Sequence, residues 1–112
     1  MNKEELYNLS FQLILHSGNA RSFAMEALYE AKAGNFETAQ EKMQEANEAF
    51  HQAHRYQTDL IQAEAGGENF DLPIILIHAQ DHLMNALTVK DLANEFIDLY
   101  EKLSTTTKGE LK

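Results

Sequence analysis

Two histidines, an aspartate and an asparagine stand at helical spacing in the C-terminal third of the sequence. They occupy positions i, i+3, i+4 and i+7, so that on a helix they form one polar stripe: His78, Asp81, His82 and Asn85. The stripe points in the same direction as Leu92 and Phe96 further along, a face that we expect to be turned inward. Polar groups on an inward face cost free energy unless they are paired, hydrated or bound to a metal ion. The pattern therefore indicates a polar site rather than ordinary core.

Three kinds of chemistry fit this stripe. Histidines one helical turn apart can chelate zinc with Asp81 as an oxygen ligand, although the pattern lacks the glutamate of H-E-x-x-H. A neutral imidazole nitrogen can instead accept a phosphoryl group, provided that a neighbouring residue orients the ring. In the third interpretation, His78 and His82 are buried structural residues and Asp81 is their hydrogen-bond partner. The stripe alone leaves all three open.

Long helices must position these residues, because the chain has few breaks. Gly34-Asn35 and Gly66-Gly67 are the strongest, and apolar residues recur at three- and four-residue steps on either side of them. Gly34 suits the residue after a helix, Asn35 can cap the next one, and Asp71 is the best N-cap before Pro73. We expect helices over about residues 3–32, 36–65 and 72–103, followed by a frayed tail over residues 104–112.

No segment has the alternation of a strand, so the predicted fold is all-α. Three helices of about 30 residues with short connections predict an antiparallel three-helix bundle that forms a single domain over residues 1–112. Leu76, Leu83 and Leu87 extend a face of the third helix that becomes polar further along. One bundle covers only part of each helix, so these leucines predict self-association through the N-terminal half of that helix.

Composition excludes several classes of function. The chain has 112 residues, with 9 Lys+Arg against 18 Asp+Glu, a net charge of −9 and no cysteine. The absence of cysteine excludes disulfides, thiolate metal sites and cysteine nucleophiles. The acidic charge argues against nucleic acid and anionic membranes and suits a partner with a basic patch. The N-terminus does not resemble a signal peptide and no apolar run is long enough to span a membrane, so we expect a soluble, cytoplasmic protein.

The run Ile77-His78-Ala79-Gln80-Asp81-His82-Leu83-Met84 resembles the signature of a known family. This is the lactose/cellobiose-type IIA component of the bacterial phosphoenolpyruvate-dependent sugar phosphotransferase system. Further matches follow in order along the chain and extend the resemblance over about residues 6–103: Gly18–Ser22, Ala53-His54, Gln57-Thr58 and Glu64–Glu68. The residues around the histidines are closer to the cellobiose, chitobiose and lichenan-oligosaccharide members than to the lactose ones.

The resemblance implies a phosphotransferase that works as a homotrimer of three-helix bundles. The phosphocarrier protein HPr passes a phosphoryl group to a histidine, here His78, which passes it to a cysteine of the cognate IIB component. The membrane component IIC is an indirect partner during import of a β-linked disaccharide or oligosaccharide. The resemblance further implies that Gln80 and His82 line the site. Asp81 would meet its symmetry mates around a divalent cation, for which oxygen ligands favour Mg²⁺.

Two alternatives belong to other functional classes. A histidine phosphotransfer domain of two-component signalling is also helical with an exposed histidine. However, the Lys-Gly that usually follows that histidine is absent, since Gln80, Asp81 and His82 follow His78. A non-catalytic helical scaffold that binds a metal ion is the second alternative. Incubation with phosphoenolpyruvate, Enzyme I and HPr distinguishes these functions, because only the IIA component would gain acid-labile phosphate on His78 from these proteins.

Overall fold

Three helices and two short connections make up the computed structural model, which describes residues 1–110 and the side chains of residues 1–106. Helix α1 spans Lys3–Lys32, α2 spans Phe36–Ala65 and α3 spans Ile74–Glu110. No strand occurs within residues 1–110. The helices run antiparallel in chain order and form a rod of 65 × 20 × 19 Å. The predicted all-α three-helix bundle is confirmed. None of the described helices is long and apolar enough to cross a membrane.

The chain reverses between α1 and α2 at the predicted glycine, and the predicted residue Asn35 is the N-cap of α2, although it caps through its backbone and not its side chain. Gly34 has a φ of +88°, a conformation that favours glycine. Asn35 does occupy the N-cap position, where its backbone carbonyl accepts from the amide of Ala39 at 2.9 Å. Its side chain, however, makes no capping bond and donates instead to Glu30 Oε2 at 2.9 Å. The side-chain amide of Asn35 therefore bonds the connection to the last turn of α1.

Helix α3 begins later than expected. The backbone carbonyl of Pro73 accepts from the amides of Leu76 and Ile77 at 3.0 and 3.4 Å. Pro73 therefore lies immediately before the first helical residue, where its missing N–H leaves no bond unmade. Asp71 precedes it by two residues and is not the N-cap.

Helix α3 also continues past its expected end at Leu103. It runs to Glu110, so most of the segment expected to fray is helical. The hydroxyl of Thr105 donates to the carbonyl of Glu101 at 3.0 Å, which satisfies this polar group within the helix. Residues 111–112 of the expected tail lie outside the described residues.

Helix α1 packs against both other helices, whereas α2 and α3 contact each other much less. One cluster of buried residues lies where α1 and α3 begin: Leu6, Leu9, Leu13, Ala53, Leu60, Leu76, Ala79 and Leu83. A second cluster lies further along and is rich in alanine, which allows close helix approach: Ala24, Ala27, Ala31, Ala39, Met43, Ala46, Ala93 and Ile97. In both clusters, the α1 residues lie at the same height along the bundle axis as α3 residues about 70 positions later in the chain.

Leu76 and Leu83 belong to the core of one chain, so their predicted role in self-association is wrong. They are 4% and 2% exposed, and Leu87 is half-buried. The uncovered face of α3 is the one that carries Leu92 and Phe96, which are 53% and 44% exposed and were expected to face inward. The prediction of the buried face failed because α3 has apolar residues on two sides, and their periodicity does not indicate which side packs against α1.

Candidate functional site

The two imidazoles of the predicted stripe contact each other across one turn of α3. The Nε2 atoms of His78 and His82 lie 3.1 Å apart, and the rings meet edge to face with centroids separated by 4.5 Å. His78 is exposed and His82 is half-buried. A nitrogen–nitrogen hydrogen bond requires that one atom donates and the other accepts. If His82 donates, the Nε2 of His78 keeps its lone pair and its proton lies on Nδ1.

The stripe lies on the outer face of α3 and not on the inner one. His78, Asp81 and Asn85 are exposed, in line with exposed Leu92. The expectation that these polar groups are buried in one chain is therefore wrong, and so is the interpretation of the histidines as core residues. An exposed imidazole held by one neighbour is accessible to a reactant from solution.

Gln80 points away from His78, toward α2. Its Oε1 accepts from Nε2 of Gln57 at 2.8 Å, and both side chains are partly buried. Residues 78 and 80 are about 200° apart around the helix axis. Within one chain, Gln80 therefore fixes the distance between α3 and α2 near the histidine pair and does not contact the imidazole of His78.

The carboxylate of Asp81 is exposed and makes no hydrogen bond or ion pair with the described residues. The interpretation in which Asp81 is the hydrogen-bond partner of the histidines is therefore wrong for one chain, where His78 and His82 contact each other. No group of three His, Cys, Asp or Glu side chains in the described part of the chain is placed to hold a metal ion. One chain therefore does not assemble the zinc chelate that the spacing left open.

The surface around the histidines is almost free of formal charge, although the chain is strongly acidic. Residues 6–20 of α1 contain no Asp, Glu, Lys or Arg, and Asp81 is the only such residue within 72–89. These two segments begin at the same end of the bundle, since their residues share the first core cluster. Phe11 and Leu15 of α1 are 57% and 53% exposed. An uncharged apolar surface is typical of the centre of a protein–protein interface.

Sequence reasoning missed the role of Gln57, although its polar interruption of the α2 apolar stripe was a usable signal. Two of the three histidines outside α3 contact aromatic rings. His16 stacks on Tyr56 with ring centroids 5.7 Å apart. His54 stacks on Phe50 at 6.3 Å, and the ammonium of Lys90 lies 5.3 Å from the same ring. These contacts brace α2 against α1 and α3 and lie outside the stripe.

Comparison with known proteins places this site in a family. The family model described as "PTS system, Lactose/Cellobiose specific IIA subunit" matches residues 8–101. The lichenan-specific phosphotransferase enzyme IIA component of Bacillus subtilis (strain 168) is 56% identical over 101 residues, 90% of this chain and 92% of the relative. The N,N'-diacetylchitobiose-specific EIIA component of Escherichia coli (strain K12) is 43% identical over 100 residues, 89% and 86% of the two chains.

Solved structures agree with the sequence relatives. The cellobiose-specific enzyme IIA from Bacillus anthracis is 60% identical, superposes with a TM-score of 0.88 and covers 94% of both chains. The IIA(chitobiose) chain of a solution structure in complex with HPr is 39% identical, with a TM-score of 0.78 over 88% of this chain and 96% of that one. Sequence and fold agree: this chain belongs to the lactose/cellobiose-specific IIA subunits of the phosphotransferase system.

Proposed function

We propose that this chain accepts a phosphoryl group from phosphorylated HPr on Nε2 of His78 and passes it to a cysteine of a cognate IIB component. The phosphoryl group is used in the uptake of a β-linked disaccharide or oligosaccharide through a membrane IIC component. The IIC component is only an indirect partner of this chain. The observation that carries this proposal is the exposed His78 ring, whose Nε2 is held 3.1 Å from a second imidazole. We place this exchange in the cytoplasm.

The transfer needs little from the protein beyond position. The lone pair on Nε2 of His78 attacks phosphorus, and the nitrogen–phosphorus bond to the histidine of HPr breaks as the new one forms. The leaving imidazole recovers its lone pair, and the proton on Nδ1 of His78 does not need to move. Phosphohistidine donor and product are chemically alike, so the rate depends mainly on alignment and on stabilising the phosphoryl oxygens.

His82 is the positioning residue in this scheme. An N–H on Nε2 of His82 that donates to Nε2 of His78 selects the tautomer with the correct nitrogen free of a proton. The same contact occupies the lone pair, so it must break when phosphorus approaches. The freed N–H of His82 is then one turn away from the phosphoryl group and can donate to one of its oxygens. His82 thus prepares the nucleophile before transfer and stabilises the oxygens after it.

The exposed apolar face of α3 supports assembly into a homotrimer. Leu92, Phe96 and Leu99 are large, exposed and in line with Asp81. Contiguous apolar surface of this kind on a soluble protein marks an interface. This face replaces the leucines from which the sequence predicted self-association, and it brings the Asp81 residues of three copies toward one axis.

A trimer of this kind is the setting for the divalent cation expected from the sequence. Asp81 has no competing partner among the residues that the structure describes, so its carboxylate is available. Three carboxylates would hold Mg²⁺ or Ca²⁺ in preference to zinc, because these cations prefer oxygen ligands. The cation would neutralise the mutual repulsion of the carboxylates, and the phosphoryl transfer itself does not pass through it.

The direct test is phosphorylation by purified proteins. The full chain is incubated with phosphoenolpyruvate, Enzyme I and HPr, and the modified residue is identified by mass spectrometry under alkaline conditions that preserve phosphohistidine. We expect one acid-labile phosphate per chain, on His78. Failure of the chain to accept phosphate from HPr contradicts the proposed function, whatever sugar the system imports.

A further inference from the structure

Gly18 lies in the middle of α1, yet nothing in its own chain requires a glycine there. Its backbone is helical, and among the described residues positive φ occurs at Gly34 and Gly67 only. Apart from its chain neighbours and the adjacent backbone of its own helix, a Cβ atom built on Gly18 would meet no described atom within 4 Å. Glycine in a helix interior destabilises by about 1 kcal/mol relative to alanine. The absence of a side chain is therefore unfavourable for the isolated chain and unexplained by its packing.

The neighbours of Gly18 on the helix surface are apolar and exposed. Phe11 and Leu15 precede it by seven and three residues, and exposed Ser22 follows four residues later. We call these four residues, with Gly18 among them, the α1 outer face. Phe11, Leu15 and Gly18 belong to the segment of α1 that lacks formal charge, so a partner can cover them without desolvating a charged group. The exposed Arg21, three residues after Gly18, is the first charged residue beyond this segment.

The histidine pair lies on the edge of α3 that adjoins α1. Gln80 and Lys90 contact α2 residues, which identifies the opposite edge as the one next to α1. His82 shares that opposite edge with Val89, seven residues later, and Val89 packs against the second core cluster. His78 is one turn before His82. One body placed over this edge can therefore contact both the histidine and the α1 outer face.

Distances along the bundle agree with a single footprint. Since α1 residues share levels with α3 residues about 70 positions later, Gly18 is level with about residue 88. This is roughly ten residues, or about 15 Å, along the axis from His78. A standard interface covers about 800 Å² per partner, equivalent to a disc of about 16 Å radius. The axes of packed helices are also about 8–10 Å apart, so Gly18 lies about 17 Å from His78. A small carrier centred between the two residues would cover both.

We propose that Gly18 is a specificity-determining contact for the donor protein HPr, whose surface approaches the bare helix backbone at Gly18 while its phosphohistidine meets His78. This inference rests on the proposed function and assigns to Gly18 the close approach of HPr to α1. The exposed face of α3, with larger apolar side chains, is left for contacts between copies of this chain. A side chain at position 18 would hold the donor away from the backbone and misplace phosphorus relative to Nε2.

The test is steady-state phosphoryl transfer at varied concentrations of phosphorylated HPr, with the full-length Gly18→Ala and Gly18→Leu variants. Gly18→Leu should raise KM for phosphorylated HPr at least tenfold and change kcat less than threefold. Gly18→Ala should raise KM at least twofold while raising the melting temperature by about 4 °C, since its methyl group meets no clash and helix propensity improves. Gln44→Leu, which adds the same side chain to an exposed position on α2, should change neither quantity.

Three results would overturn the inference. A KM for Gly18→Leu within twofold of wild type would show that HPr does not approach position 18. Loss of the wild-type oligomer in either Gly18 variant, measured by sedimentation, would assign the α1 outer face to a second copy of this chain. Failure of the wild-type chain to accept phosphate from HPr would remove the proposed function as well. A normal wild type with an unaffected Gly18→Leu would remove this inference alone.

Discussion

At the scale of single residues, the contact between two Nε2 atoms couples the properties of His78 and His82. Each ring can satisfy the contact only if the other takes the complementary role of donor or acceptor. Exposure separates their functions, since His78 faces solvent and His82 is half-buried. Only the exposed ring can present its nitrogen to phosphorus on another protein, so the two histidines are not interchangeable.

The first prediction follows from this difference in exposure. His78→Gln should abolish stoichiometric phosphorylation by HPr, because the amide has no nucleophilic nitrogen. His82→Gln should still accept one phosphate per chain but at least tenfold more slowly. The variant no longer selects the tautomer of His78, and it lacks the imidazole N–H that donates to a phosphoryl oxygen. Rapid-quench measurement of phosphorylated protein provides both numbers. Stoichiometric phosphorylation of His78→Gln would contradict the assignment.

A pH profile separates positioning by His82 from a merely structural role. Loss of a packing contact would lower the rate of His82→Gln by a constant factor at every pH. Loss of an imidazole that shares a proton with His78 should instead change the shape of the profile, because the tautomer of His78 is no longer selected. His54→Gln is the control: it removes an imidazole stacked on Phe50 outside the site and should leave the profile unchanged.

At the scale of helices, the connections were predictable and the orientation of α3 was not. Gly34 and Gly66-Gly67 end α1 and α2 because tight reversals of this kind require conformations that glycine adopts easily. The inner face of α3 is occupied by Leu76, Leu83 and alanines, and its outer face by leucines and a phenylalanine. Two apolar faces on one helix carry the same periodicity, and only the packing against α1 distinguishes them.

The chemistry of the site could be predicted from the residue types and their spacing, whereas the contacts of its residues with other helices could not. The i, i+4 separation of His78 and His82 requires that they share one face of a helix. The bond between Gln57 and Gln80 joins residues 23 positions apart on different helices. No local pattern specifies such a contact, because it depends on the distance and rotation between α2 and α3.

The second prediction concerns this bond between helices. Gln80→Leu or Gln57→Leu alone should lower the free energy of unfolding by about 1–2 kcal/mol, because each leaves a partly buried amide without its partner. The double variant should be less destabilised than the sum of the single ones, since two apolar side chains can pack together. Urea unfolding of the four proteins measures this coupling. Strict additivity would show that the bond does not stabilise the fold.

At the scale of the whole molecule, one chain leaves an apolar face uncovered on α3 and an uncharged one on α1. A charge of −9 keeps separate molecules apart at long range but does not prevent contact through faces that are mainly apolar. Such apolar surfaces lie on α1 and α3 next to the histidine pair, where Asp81 is the one charged residue within 72–89.

The third prediction tests the α3 face. The wild-type chain should sediment at three times its 12.7 kDa mass at micromolar concentration. Leu99→Glu should shift it toward the monomer, because three added carboxylates would be buried in the interface. Asn94→Glu adds the same charge to an exposed position on the other side of α3 and should leave the trimer intact. Sedimentation of Leu99→Glu as a stable trimer would contradict the proposed interface.

The last prediction concerns the axis of that trimer and the carboxylate of Asp81. Two unit charges about 4 Å apart repel by roughly 4 kcal/mol at an effective dielectric of 20, and three carboxylates make three such pairs. A divalent cation or shared protons must offset this repulsion. We therefore expect the wild-type melting temperature to fall in EDTA near neutral pH. Asp81→Leu should keep the trimer, lose the sensitivity to EDTA and melt higher in chelator, because apolar packing replaces repulsion.

Asp98→Leu is the matched control for that experiment, since Asp98 is exposed on another side of the same helix. It makes the same change of charge and shape, so a general effect of removing acidic residues from an acidic protein would raise both melting temperatures alike. An axial cation affects only Asp81. A wild type that is insensitive to EDTA, together with an Asp81→Leu variant that melts no higher than Asp98→Leu, would mean that no cation is held there and that the three carboxylates do not approach one another.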